Sequence, residues 1–150
     1  MQSHDGIFEA SFTRVIGPGP GVSAEGEQFF ADFYQRFTAR SSDAKLIFSK
    51  TDMSHQSRML LKSVYHLVSM YATSTVSDHI IKIAEKHSGL ELDIPAVLYD
   101  DWMEALIETV SARDPRFNQD VALAWRFAFA PGLAVMRHYA SIHRKKTTRD

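Results

Sequence analysis

The chain of 150 residues, 45% hydrophobic and 23% charged, is long enough for one domain with a substantial core and too short for two ordinary ones. A formal net charge of -1 excludes the basic excess of a nucleic-acid-binding surface, and the one basic run, Arg144-Lys-Lys-Thr-Thr-Arg149, reads as a solvated end. The absence of cysteine excludes disulfide scaffolds, thiolate metal sites and cysteine nucleophiles.

The first residues lack the basic start and apolar run of a signal peptide, and no apolar stretch reaches membrane-spanning length. A soluble, cytoplasmic protein with neither nucleic-acid nor membrane partners is therefore expected.

Ile7, Phe8, Phe12, Val15 and Ile16 predict a short helix over 5–16, which Gly17-Pro-Gly-Pro-Gly21 breaks. Ser23 can cap the next helix, which carries Phe29, Phe30, Phe33, Tyr34 and Phe37 inward and ends near Arg40. A short helical turn follows Ser41, and Thr51 or Asp52 caps a helix from Met53 to about Tyr71. Beyond the linker Thr73-Ser-Thr75, capped by Thr75 or Ser77, a helix runs to His87 and stops at Gly89. Pro95 suits the first turn of a helix through Val110. Ser111 to Phe117 forms a loop. A last helix, about Asn118 to His143, is expected to bend at Pro131-Gly132 because proline deletes a backbone hydrogen bond.

No strand, repeat or low-complexity block is apparent, so the chain reads as one all-α domain over 1–150. Residues 1–21 supply an N-terminal helix and linker, and 144–150 a basic tail. Helices of unequal length joined by short loops suit a crossed arrangement enclosing a cofactor better than an up-and-down bundle.

Ile80, Ile83, Ala84 and His87 fall at helical spacing, so one inward face ends in an imidazole. Such a residue is either a hydrogen-bonded core histidine or a metal ligand. With only aliphatics around it, the ligand reading suits an iron held equatorially by a porphyrin. On the helix from Met53, Gln56 lies within roughly 40° of Leu60 on the apolar stripe, whereas His55 falls on the far side with Lys62 and His66. A glutamine facing inward needs a partner, and Tyr34, the polar-tipped member of an otherwise phenylalanine face, is the natural one. The pair either specifies packing or donates hydrogen bonds to a small polar ligand such as dioxygen.

The segments Asp32-Phe-Tyr-Gln-Arg-Phe37, Leu46-Ile-Phe48, Asp52-Met-Ser-His-Gln-Ser-Arg-Met-Leu60, Lys82-Ile-Ala-Glu-Lys-His-Ser88 and Ala124-Trp125, in this order, resemble the single-domain bacterial globins and the globin module of flavohaemoglobins. The resemblance implies a globin fold enclosing haem b. It implies His87 as the proximal iron ligand, Phe48 packed on the porphyrin, and Tyr34, Gln56 and Leu60 as the distal residues. Val64, Ile83 and Ile94 would line the haem, Tyr99 would lie beneath it, and Met59 or Arg58 would lie near a propionate.

Two departures from the flavohaemoglobin pattern bear on function. The run 121–149 contains no Glu to pair with the proximal histidine, so His87 is expected to donate to a backbone carbonyl or hydroxyl instead. The chain also stops where a reductase domain would begin, so a separate reductase is expected as partner.

Three functions follow from the resemblance: reversible binding of dioxygen or another diatomic gas for supply or sensing; nitric oxide dioxygenation to nitrate with an external reductase; or a haem-free signalling domain. The helix with Trp102 and the final helix could supply a homodimer interface.

Overall fold

The computed structural model describes residues 4–17, 23–73, 78–88 and 94–148, and all regular structure among them is helical. The helices are α1 (His4–Val15), α2 (Ala24–Arg40), α3 (Ser42–Ile47), α4 (Met53–Thr73), α5 (Asp78–Ser88), α6 (Val97–Arg113) and α7 (Gln119–Thr148).

Side-chain caps set the starts of four of the helices. The Ser23 hydroxyl accepts from the Gly26 N–H at 3.0 Å and donates to the Ile16 carbonyl at 2.8 Å, tying the start of α2 to the end of α1. Between them Gly17 has φ 124°, a left-handed conformation that only glycine adopts cheaply. Ser41 caps α3 through the Ala44 N–H, Asp52 caps α4 through Ser54 and His55, and Asn118 caps α7 through Val121. The expected caps Thr75 and Ser77, most of the Gly17–Gly21 linker, and Gly89 lie outside the described residues.

Three boundaries differ from expectation, the first being the start of α6, which lies at Val97 with Pro95 outside the helix rather than in its first turn. Helix α6 continues to Arg113, where the Asp114 N–H closes the last turn on the Val110 carbonyl. Helix α7 continues unbroken through Pro131 to Thr148. A single proline removes one hydrogen bond from a 30-residue helix, whose neighbours hold both halves in place. The backbone of 144–148, expected as a loose tail, is the last turn of this helix.

Helix α7 packs against α1, α4, α5 and α6, while α2 packs against α3, α4 and α6. Where they meet, Phe29, Phe30, Phe33, Trp125 and Phe129 are fully buried. Trp125 stacks on Phe129 at 5.9 Å and 12° and meets Phe8 edge-on at 4.9 Å. Its indole N–H donates to the Ser11 hydroxyl at 2.9 Å, and Ser11 in turn donates to Asp114 at 2.6 Å. Asp114 also takes a two-pronged ion pair from Arg14 at 2.7 and 2.9 Å and the Arg116 N–H at 2.9 Å. This chain of bonds fastens α1 and the α6–α7 loop to the aromatic core.

The α4–α7 contact depends on a missing side chain. A Cβ at Gly132 would lie 2.0 Å from Leu67 Cδ2 and 3.2 Å from its Cγ. Gly132→Val is therefore expected to destabilise by about 1 to 3 kcal/mol through overpacking. Urea denaturation checks this, and an unchanged midpoint would show that Leu67 moves aside at no cost.

Candidate functional site

Helices α2, α4 and α5 carry the side chains singled out from the sequence. On α4, Gln56 is half-buried and His55 exposed, as the periodicity requires. The Gln56 Nε2 donates to the Tyr34 hydroxyl at 3.3 Å. Burial raises the Tyr34 phenol well above its ordinary pKa, only partly offset by this bond, so it stays protonated. Because Tyr34 accepts from Gln56, its own O–H remains available to donate elsewhere.

Phe48, half-buried at the end of α3, meets the Tyr34 ring edge-on at 5.2 Å and the Phe37 ring at 6.2 Å. Leu60 from α4 and Ile83 from α5 pack against the same apolar core as Tyr34, and Val64 is buried within it. Met59, by contrast, is 49% exposed, a rim position facing away from that core.

His87 lies in the last turn of α5, one turn beyond Ile83 and Ala84 on the same face. Burial, with a smaller contribution from the neighbouring Lys86 charge, lowers its pKa to about 4, so the ring is neutral at physiological pH. Its Nδ1 is buried and finds no hydrogen-bond partner among the described residues. Among the described residues the expected donation to a carbonyl or hydroxyl is thus not made. Ile83 and Ala84, the neighbours on its own face, are apolar, and the backbone carbonyl of His87 is already occupied by the Ile94 N–H at 2.8 Å.

A second small cluster lies on this side of the molecule, formed by Ala84, Tyr99 and Met136 with Ile83, Ile94, Leu133, Val135 and Tyr139 around them. Burial pushes the Tyr99 phenol up to about 12, slightly offset by Arg137. The structure therefore gathers Ile83, Ile94 and Tyr99 into one cluster. It adds Leu133 and Met136, whose signal was the inward periodicity of α7.

A neutral imidazole with no competing hydrogen bond has a lone pair to offer a metal. The surrounding apolar side chains suit a flat hydrophobic macrocycle, and the histidine with its aliphatic neighbours fits haem as the group to be held. A surface groove between α2 and α6, lined by Asp32, Gln35, Arg36, Ala39, Arg40 and Glu108, lacks this character. Its charges neutralise one another, Arg36 bridging Asp32 and Glu108 while Arg40 also pairs with Glu108.

Among the described residues no helix is long and apolar enough to cross a membrane. No group of three or more His, Cys, Asp or Glu side chains among them could hold a metal ion.

No family model and no curated protein sequence matches the chain. Among solved structures, the protein PA3967 of Pseudomonas aeruginosa PAO1 aligns over 92% of this chain and 98% of its own, with a TM-score of 0.76 and 29% identity. That protein is described as structurally highly homologous to a human hemoglobin. With seven helices among the described residues and this likeness, the chain is an all-α protein of globin-like fold.

Proposed function

We propose that this chain binds haem b through His87 and holds dioxygen or another diatomic gas reversibly on the side of Tyr34 and Gln56. The observation that carries this reading is the half-buried, neutral imidazole of His87, whose buried Nδ1 has no partner among the described residues. In a globin-like fold, such a ring is costly to keep unless it serves a ligand. Phe48, Leu60, Val64, Ile83, Ile94 and Tyr99 would enclose the macrocycle, with Met59 at its rim. When bound, haem supplies the iron at which a diatomic gas coordinates.

The chain's own contribution lies in its donors and in water exclusion. The protonated Tyr34 hydroxyl, freed by the bond from Gln56, would donate to the polar end of the gas. Nitric oxide dioxygenation draws on the same donors. It is served less well here, because residues 121–149 contain no glutamate to hydrogen-bond the His87 ring and raise its electron density.

Absorption spectra of the purified protein, oxidised and reduced, test the proposal. A Soret band that moves on reduction and again on adding carbon monoxide supports it, and no band after haem addition refutes it. Tyr34→Phe is expected to speed dioxygen release by about 10- to 100-fold, the loss of one bond worth about 1.5 to 3 kcal/mol. An unchanged release rate by stopped flow would mean that Tyr34 does not reach the ligand.

A further inference from the structure

The longest helix leaves an apolar stripe on the outside of the molecule. On α7 Leu123 and Phe127 expose 42% and 48% of their surface, and Ala130 and Ala134 are also exposed. These four positions follow one another at spacings of four, three and four, the rhythm of a helix-pairing seam. Advancing about 100° per residue, they fall within roughly 60° of arc.

We propose that this face pairs with the same face of a second copy, the two α7 helices antiparallel about a two-fold axis between Ala128 and Phe129. The register follows from size. About that axis each Leu123 meets Ala134 of the copy and each Phe127 meets Ala130, so every large side chain lies against a small one. The same axis brings Asp120 beside His138, both exposed on one flank of the stripe, and Gln119 beside Arg137 on the other. A carboxylate thus receives an imidazole N–H on one side, and an amide oxygen a guanidinium on the other.

Such mutual fit is what a self-complementary interface requires and what an unrelated surface would match only by chance. The nearest charged neighbours do not oppose it, since Arg126 and Arg137 are already matched by Glu104 and Asp100 of α6. The pairing is independent of haem.

The sequence contains no cysteine, so one introduced cysteine can cross-link only to its own copy. Ala130→Cys, close to the axis, is expected to form a covalent dimer under mild oxidation at least ten times faster than Ala112→Cys, an exposed position at the end of α6. Equal rates, or no cross-link at either site, overturn the proposal.

Sedimentation equilibrium of the unmodified full chain should show a concentration-dependent dimer that Leu123→Lys abolishes without changing the helical circular dichroism. A monomer at several hundred micromolar overturns it as well. The register has its own test. Asp120→Lys should weaken the dimer, and adding His138→Asp should restore it; failure to restore rejects this pairing.

Discussion

Asp114→Ala is expected to lower stability by about 2 to 4 kcal/mol, since charge-assisted hydrogen bonds of about 1.5 to 3 kcal/mol each are lost and a buried hydroxyl is left unmatched. The carboxylate side chain is wholly shielded from solvent, while Arg14 keeps a quarter of its side-chain surface exposed. Removing Asp114 leaves the fully buried Ser11 hydroxyl without its acceptor and Arg14 without its counter-charge, and it loosens the bond from Ser11 to Trp125. For a chain of this size that amounts to roughly 10 °C in Tm. Thermal unfolding followed by circular dichroism would check it, and a fall of less than about 3 °C would show that the network only decorates the core.

The same carboxylate sets an acid limit. Burial pushes its pKa up, but the bonds from Arg14, Ser11 and the Arg116 N–H outweigh burial and hold it below the usual value. A depressed carboxylate contributes fully above its unfolded pKa, near 4, and loses that contribution as the pH falls through the lower folded value. Stability of the parent protein should therefore drop in acid below about pH 4. In Asp114→Asn that part of the drop should be absent.

His87→Leu should separate function from stability by moving them in opposite directions. Haem affinity is expected to fall by about 100-fold or more, since loss of the ligand must cost at least as much as loss of a residue that merely supports one. The haem-free variant, however, no longer buries an unpartnered nitrogen, and leucine suits both the helix and its apolar neighbours. Its stability should rise by about 1 kcal/mol, part of the 1 to 3 kcal/mol that an unsatisfied buried polar group costs. Haem titration and urea denaturation of the two apoproteins would measure both effects. A haem affinity unaffected by the change would mean that another residue binds the group; a large loss of apo stability would mean that His87 is structural.

How much was legible beforehand varies from residue to residue. That Gln56 turns inward and His55 outward was readable, because on α4 a face is fixed by rotation of about 100° per residue and by the cost of burying a charge or amide unpaired. The Tyr34–Gln56 bond was foreseeable for the same reason: an inward amide needs a partner, and Tyr34 was the polar side chain on the facing helix. The lone Nδ1 of His87 was not, since whether an acceptor comes within reach depends on how α5 lies on α7. Nor was the continuity of α7 through Pro131, where local propensity yields to packing on both halves.

By itself, then, the sequence determined the helices and the faces they bury, because caps, breakers and hydrophobic period act within a few residues of one another. It left Asp114 as a loop residue after a helix. Only the tertiary structure made that residue the hub joining Ser11, 103 positions earlier, to Trp125, for contacts so distant in the chain carry no local signal. The same holds for the two-fold register on α7. The apolar rhythm is written in the chain, but which of its faces lies outside was decided by the packing of α1, α4, α5 and α6 against the others.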